Sequence, residues 1–425
     1  MTLSLPMLQA RRRIAPALLG RAGLIGLALV LAMTVLARLI PALMLGSEVA
    51  DLSTYRAMAL VVIREEDIYD IRNFFPYTPL SLFLPAFLLH LSTVFDQPFH
   101  LILKQVPILS DVGIATLIYL IARRRWGVVK STGAGLAWAF NPVSILITGF
   151  HGNIMPLSVF FAFWSYYLLE FCERRRTFVL SALALGIAIG LRGWPILLLP
   201  FLLRPGYLSW RQRIIYLGVA AFPSAITLGP YLLVNFEGIN REFFSYNSNP
   251  DFGWMGIWRN LWFLHTGNQY LPGEQTKEWL SRSRSYFLAA YAVLVAVAYL
   301  RPKLLDTSGW LASALMLFYT LFGGVAAQYL VWVVPFLAFY RYGLAFSVVA
   351  LGALISFYLT YHPGILLGPY PSPIKYSHPE IIRWYLGFLL AMWTAGAVWV
   401  LWILTRTTNA GLQYAVYLRS RVLAG

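Results

Sequence analysis

Charge is scarce in this chain of 425 residues: Asp, Glu, Lys and Arg together make up 12%, about half the share in a soluble domain. No long polar stretch stands between the apolar ones, which excludes a soluble enzyme hung on a single anchor, and with it disorder and coiled coil. Cysteine is nearly absent. Cys172 stands alone, so no intrachain disulfide can form. There is no cysteine cluster, no His-x-x-x-His pair and no phosphate-binding glycine loop, so the common signatures of zinc and nucleotide chemistry are missing. Acids are outnumbered 17 to 33 by Lys and Arg, a net +16. The basic residues are dispersed over the edges of apolar runs rather than gathered in one stripe, so nucleic acid is not an expected partner.

What the chain does have is apolar surface, with 59% hydrophobic and 16% aromatic residues. A spanning helix needs about 20 apolar residues. Runs at 22–44, 102–122, 131–149, 154–172, 177–191, 194–203, 214–235, 285–300, 308–323, 327–340, 343–361 and 382–404 predict an all-α polytopic membrane protein. It reads as a single membrane domain over 1–425 with about twelve spans, ten to fourteen at the limits. Arg11, Arg12, Arg13 and Arg21 precede the first run, which reads as a retained span rather than a cleaved leader.

The basic residues orient the chain. With both termini cytoplasmic, the inner segments hold 20 of the 33 Lys and Arg but 3 of the 17 acids. Making 78–95 a span would put Arg123, Arg124 and Arg125 outside, so it is predicted to lie at the outer interface or to re-enter the membrane. The outer side then carries a long first loop over 45–101, with interfacial helices, a second over 236–284 and a third over 361–381. Loops of this length in a compact protein usually carry function. No tandem or inverted repeat is visible.

Asp51 follows the first span, beside Glu48, at the predicted outer surface. A carboxylate there is suited to taking a proton from an acceptor hydroxyl; the structural alternative is a helix cap. After it come Phe75-Pro76-Tyr77-Thr78-Pro79-Leu80, then Lys104 and Asp111 in the second span. Asn141-Pro142 leads to His151-Gly152-Asn153, and a later span ends in Arg192-Gly193-Trp194-Pro195. Gln328-Tyr329 precedes Trp332-Val333-Val334-Pro335. An Asp inside a span is costly and therefore paired or functional. For Asp111, pairing with Lys104 or with an Arg of a neighbouring span is the favoured reading. Glu65-Glu66-Asp67 read as a solvated face of the first loop.

In this order the motifs resemble the GT-C superfamily of integral membrane glycosyltransferases. The nearest resemblance is to the first mannosyltransferase of GPI-anchor assembly and to bacterial mannosyltransferases that use polyprenyl-phosphate mannose. It covers about 45–200 and returns at 326–340. The resemblance implies a polyprenyl-phosphate sugar donor, with mannose the expected sugar, and a glycolipid or glycan acceptor. It implies inverting transfer at the extracytoplasmic face, with Asp51 as the base. Arg192 would meet the donor phosphate, with His151, Asn153, Tyr77, Gln328 and Tyr329 around the phosphate and sugar. Asp51 is followed by Leu52-Ser53 and Asn153 by Ile154-Met155, where relatives often carry further acids, so no metal is expected.

The second loop holds Trp254, Trp258, Arg259 and Asn260. Aromatic faces stack on sugars while Asn and Arg bond hydroxyls, which suits the acceptor; an interfacial aromatic belt is the alternative. Membrane lipids are the remaining expected partner. The rival reading is a lipid or sugar transporter or flippase, which would need a polar path across the midplane. A non-catalytic subunit of a membrane complex is the third. Here the ionisable residues are expected to gather at the outer rim, which favours chemistry at an interface.

Overall fold

The computed structural model describes residues 20–44, 50–70, 76–172, 177–205, 208–246, 249–268, 270–363, 366 and 379–423; side chains are not described at Ala50, Arg341, Tyr342, Pro379 and 406–423. Glu48, Phe75 and the arginines before residue 20 lie outside these residues, as does most of the third outer loop. Helices account for nearly all regular structure. Among the described residues there is no strand, and one antiparallel bridge joins Phe252 to Val325. Among the described residues seven helical stretches, Val128–His151 counted as one, are long and apolar enough to cross a membrane, so the chain is an all-α, multi-pass integral membrane protein.

The first half is a bundle. Helix α1 (Arg21–Met44) packs on α4 (Phe99–Arg125) and α5 (Val128–Ala139). Helix α4 also packs on α6 (Met155–Phe171), α6 on α7 (Thr177–Leu191), and α7 on α8 (Trp210–Val234). Between α1 and α4 lie the two short helices of the first loop, α2 (Ala50–Ile63) and α3 (Leu80–Val94), packed on each other. Lipid offers no apolar gain for helix association, so close approach and polar pairing do the work. Close approach is visible at Gly186, where a Cβ would meet the Ala220 carbonyl at 2.5 Å.

The polar pairing centres on Asp111. Its Oδ2 receives Arg38 Nε at 2.5 Å, Ser144 Oγ at 2.5 Å and Thr148 Oγ1 at 2.8 Å. Arg38 also donates to the Ala139 and Trp138 carbonyls. Both charges are wholly buried. The pairing with an arginine of a neighbouring span is therefore the correct alternative, and the partner is Arg38 rather than Lys104. This pair also corrects the expectation that ionisable groups gather at the rim.

The second half comprises α9 (Gly253–Thr266), α10 (Gly273–Leu300), α11 (Thr307–Leu321), α12 (Arg341–Tyr361) and α13 (Pro379–Leu423). Helix α13 packs on α9, α11 and α12, and α10 on α11. Besides 131–149, which breaks at Asn141, two predicted spans are not continuous helices. Residues 194–203 form a 3-10 segment (Trp194–Leu198) and one turn (Leu199–Leu202); residues 327–340 form a 3-10 segment (Ala327–Val331) and one turn (Val334–Leu337). Pro195, Pro200 and Pro335 each remove an amide donor and clash with the preceding turn. Such backbone survives at membrane depth where protein covers it. Here the two segments cover each other: Trp194 stacks on Trp332 with ring centroids 4.6 Å apart, and Trp332 on Tyr329 at 4.2 Å.

Candidate active site

Asp51 lies in the first turn of α2, where the helix dipole favours a carboxylate. A π-helical turn brings its partners. Asn141 caps a short turn through Ser144 N, with Pro142 at the first position; the chain then widens over Leu146–His151. Single π-turns often mark functional sites. Gly152 ends this one with φ +72°, which favours glycine, and a Cβ there would also press on the Lys104 and Leu52 side chains. The turn aims His151 Nε2 and Asn153 Nδ2 at the same atom, Asp51 Oδ2, each at 2.6 Å. Asn153 Oδ1 accepts from Met155 N, which fixes the amide. His151 Nδ1 lies 3.0 Å from the Tyr358 hydroxyl.

These bonds divide the roles. A carboxylate accepts, so His151 carries its proton on Nε2 and both ring nitrogens are engaged. Asp51 Oδ1, in contrast, has no partner among the described residues. His151 and Asn153 are buried, while 35% of the Asp51 side chain remains accessible. Burial alone would raise its pKa. His151, by charge and hydrogen bond, then Asn153 and Arg192, pull it down to about 2. Asp51 is thus an ionised carboxylate with one oxygen held and one oxygen open.

Arg192 follows the C-terminus of α7. Thr78 and Ser81 hydroxyls donate to the Gly190 and Leu191 carbonyls, clamping the start of α3 to the end of α7. The Tyr69 hydroxyl holds the Tyr77 carbonyl at 2.8 Å. Tyr77 is thereby set under the guanidinium, 3.5 Å from ring centroid to Cζ, a close cation–π contact. Arg192 Nη2 donates to the Tyr55 hydroxyl at 2.7 Å. Its Nε and Nη1 are buried and have no acceptor among the described residues. Burial opposes its charge, but the oxygens of Tyr55, Tyr77 and Tyr329 and the Asp51 carboxylate outweigh burial and hold it protonated. A buried donor without an acceptor costs about 1–3 kcal/mol, so this arginine is poised for an anion.

Asp51, Tyr77, His151, Asn153, Arg192 and Tyr329 therefore converge at the end of the bundle opposite Arg123, Arg124 and Arg125. Pro79 stands at the N-cap of α3. Gln328 is half-buried beside Tyr329. The second-loop residues are placed differently. Trp254 Nε1 donates to the Leu321 carbonyl, Trp258 is exposed, and Asn260 is wholly buried with its amide on the Gly256 carbonyl. Arg259 pairs with Asp251 at 2.6 Å and stands 4.3 Å from the Tyr361 ring centroid. Glu65 and Glu66 lie in a turn beyond the end of α2 and are exposed, while Asp67 is half-buried and bonds Asn235 at the end of α8.

Three contributors are not singled out by the sequence pattern. Tyr55 stands four residues after Asp51, which on a helix is the same face, so a signal for it exists. Tyr358 and Asp251 carry no local signal. Among the described residues no three His, Cys, Asp or Glu side chains converge to hold a metal ion. No protein-family model and no curated protein matches this chain.

Proposed function

We propose that the protein is a GT-C-type membrane glycosyltransferase that moves a hexose, expected to be mannose, from a polyprenyl-phosphate donor to a glycolipid or glycan acceptor. The observation that carries this reading is the pairing of an open carboxylate oxygen on Asp51 with a buried, incompletely bonded guanidinium on Arg192. Arg192 meets the donor phosphate through the donors it has left over, on Nε and Nη1. The acceptor hydroxyl attacks C1 of the donor sugar from the face opposite the phosphate. The C1–O bond to phosphate breaks and its electron pair leaves on the polyprenyl phosphate, whose charge Arg192 stabilises. The acceptor proton passes to Asp51 Oδ1, while His151 and Asn153 hold Oδ2 and fix the direction of Oδ1. His151 is a positioning residue, because its two ring nitrogens are engaged by Asp51 and Tyr358.

In this reading α6, α7, α11 and the two broken segments complete the seven long helices to twelve crossings. Both termini are cytoplasmic and the Asp51 end faces the extracytoplasmic side, as the basic residues demand. The test is turnover of radiolabelled polyprenyl-phosphate mannose by the purified chain in lipid nanodiscs. Mannose release or transfer that requires both Asp51 and Arg192 supports the assignment. Translocation of the intact lipid across vesicles, without cleavage, would instead make the protein a transporter.

A further inference from the structure

The second loop brings another carboxylate, Asp251, near the Asp51 cluster. Asp251 precedes Phe252, whose N–H bonds the Val325 carbonyl at 2.8 Å and whose ring packs on Phe357. The Asp251 carbonyl accepts from the Tyr385 hydroxyl at 2.5 Å. Its side chain meets Arg259 Nη1 at 2.6 Å through Oδ1, and both side chains keep a small accessible area, 11% and 17%. One turn of α12 links the two carboxylates: Tyr358 holds His151 and thereby Asp51, and Tyr361 backs Arg259 and thereby Asp251. Residues three apart on a helix lie about 5–6 Å from each other at Cβ, so the assemblies stand side by side at the outer end of this helix. Burial raises the pKa of Asp251, Arg259 opposes that rise, and the charge of Asp51 adds to it, which places the carboxylates within electrostatic reach.

Asp251 is neutralised by Arg259, so this side offers no net charge to an anion and favours a neutral ligand that exchanges hydrogen bonds. Asp251 presents an acceptor and Arg259 a donor side by side, the pattern that matches adjacent hydroxyls of a pyranose. We propose that Asp251 and Arg259 form the acceptor-holding wall of the cleft and bind two neighbouring hydroxyls of a neutral sugar opposite Asp51. This inference rests on the glycosyltransferase reading and sharpens it by naming the residues and the chemistry on the acceptor side.

The test uses polyprenyl-phosphate mannose as donor and n-octyl α-D-mannopyranoside as acceptor probe, with the full chain in nanodiscs. In Asp251→Asn and in Arg259→Gln the KM for the octyl mannoside should rise at least tenfold, while the KM for the donor stays within twofold. A single change leaves a partner charge buried, so the double variant Asp251→Asn/Arg259→Gln removes both charges together and keeps the question open to measurement. A pair that served the fold alone would leave the double variant with the wild-type acceptor KM, and that result overturns the proposal, as does an equal rise in both KM values. Wild-type protein that releases mannose to water yet never transfers it to the octyl mannoside overturns this acceptor site and leaves the glycosyltransferase reading standing. Wild-type protein that does not cleave the donor overturns both.

Discussion

Asp51 and Asp111 are the same side chain in two settings. Each gathers its donors on one oxygen: Arg38, Ser144 and Thr148 on Asp111 Oδ2, and His151 and Asn153 on Asp51 Oδ2. Asp111 is wholly inside the bundle and paired with a full charge from the first span. Asp51 stands at the helix ends, a third accessible, with its second oxygen open. Asp111 Oδ1 also lacks a partner among the described residues but is buried, so what separates the two is access: one carboxylate joins helices, and the other is the one that the proposed function sets before a substrate. The two are also linked, because Thr148, on Asp111, belongs to the π-turn that carries His151 to Asp51.

The sharpest way to break this comparison is to remove Asp111. Asp111→Ala leaves Arg38 buried and unpaired, a loss of about 3–5 kcal/mol. Thermal unfolding in detergent should show a large fall in stability, whereas Asp51→Asn should unfold close to wild type. Equal stability losses would erase the distinction. Next in size is Arg192→Gln. Charge-assisted bonds are worth about 1.5–3 kcal/mol, so donor affinity should weaken roughly ten- to hundredfold, and Arg192→Lys should not restore the two-bond grip. A donor titration monitored by radiolabel retention checks both.

A smaller and more diagnostic effect concerns pH. The carboxyl of Asp51 sits at about 2 against its ordinary 3.8. Its ionised form, and the stability that form contributes, is present above pH 4 and is lost as pH falls toward 2. Wild-type transfer should therefore show no acid limb from Asp51 at pH 5–7. His151→Gln removes the largest influence opposing burial, so the Asp51 pKa should rise. The rate should then fall on the acid side at a higher pH than in wild type. A pH–rate profile with an unshifted acid limb would detach His151 from Asp51. The smallest effect is expected from EDTA, which should leave transfer unchanged; loss restored by a divalent cation would add a metal to the site.

Much of this is legible in the sequence. Helix alternation and the Lys and Arg distribution put Asp51, Tyr77, His151, Asn153 and Arg192 at one end of the bundle, because each lies where an apolar run stops. Partner identities are not legible. That Asp111 meets Arg38, or that Tyr358 reaches His151, depends on the rotation of α1 and α12 about their axes, and a hydrophobic run in a membrane has no polar face to reveal it. The broken segments at 194–203 and 327–340 read as spans because composition records apolarity rather than backbone path. In α9 the four-residue Trp spacing defines a face, but not which face is covered. Met255, Gly256, Asn260 and Phe263 are buried, and that turns Trp258 outward and Asn260 inward.

The most direct measurement of the central claim is the rate of sugar transfer from polyprenyl-phosphate mannose by Asp51→Asn in nanodiscs, alongside donor binding by the same sample. The amide keeps the shape and the His151 neighbourhood but cannot take the acceptor proton. Transfer should drop by about 10²–10⁴-fold while donor binding persists. Transfer at the wild-type rate would contradict the role given to Asp51.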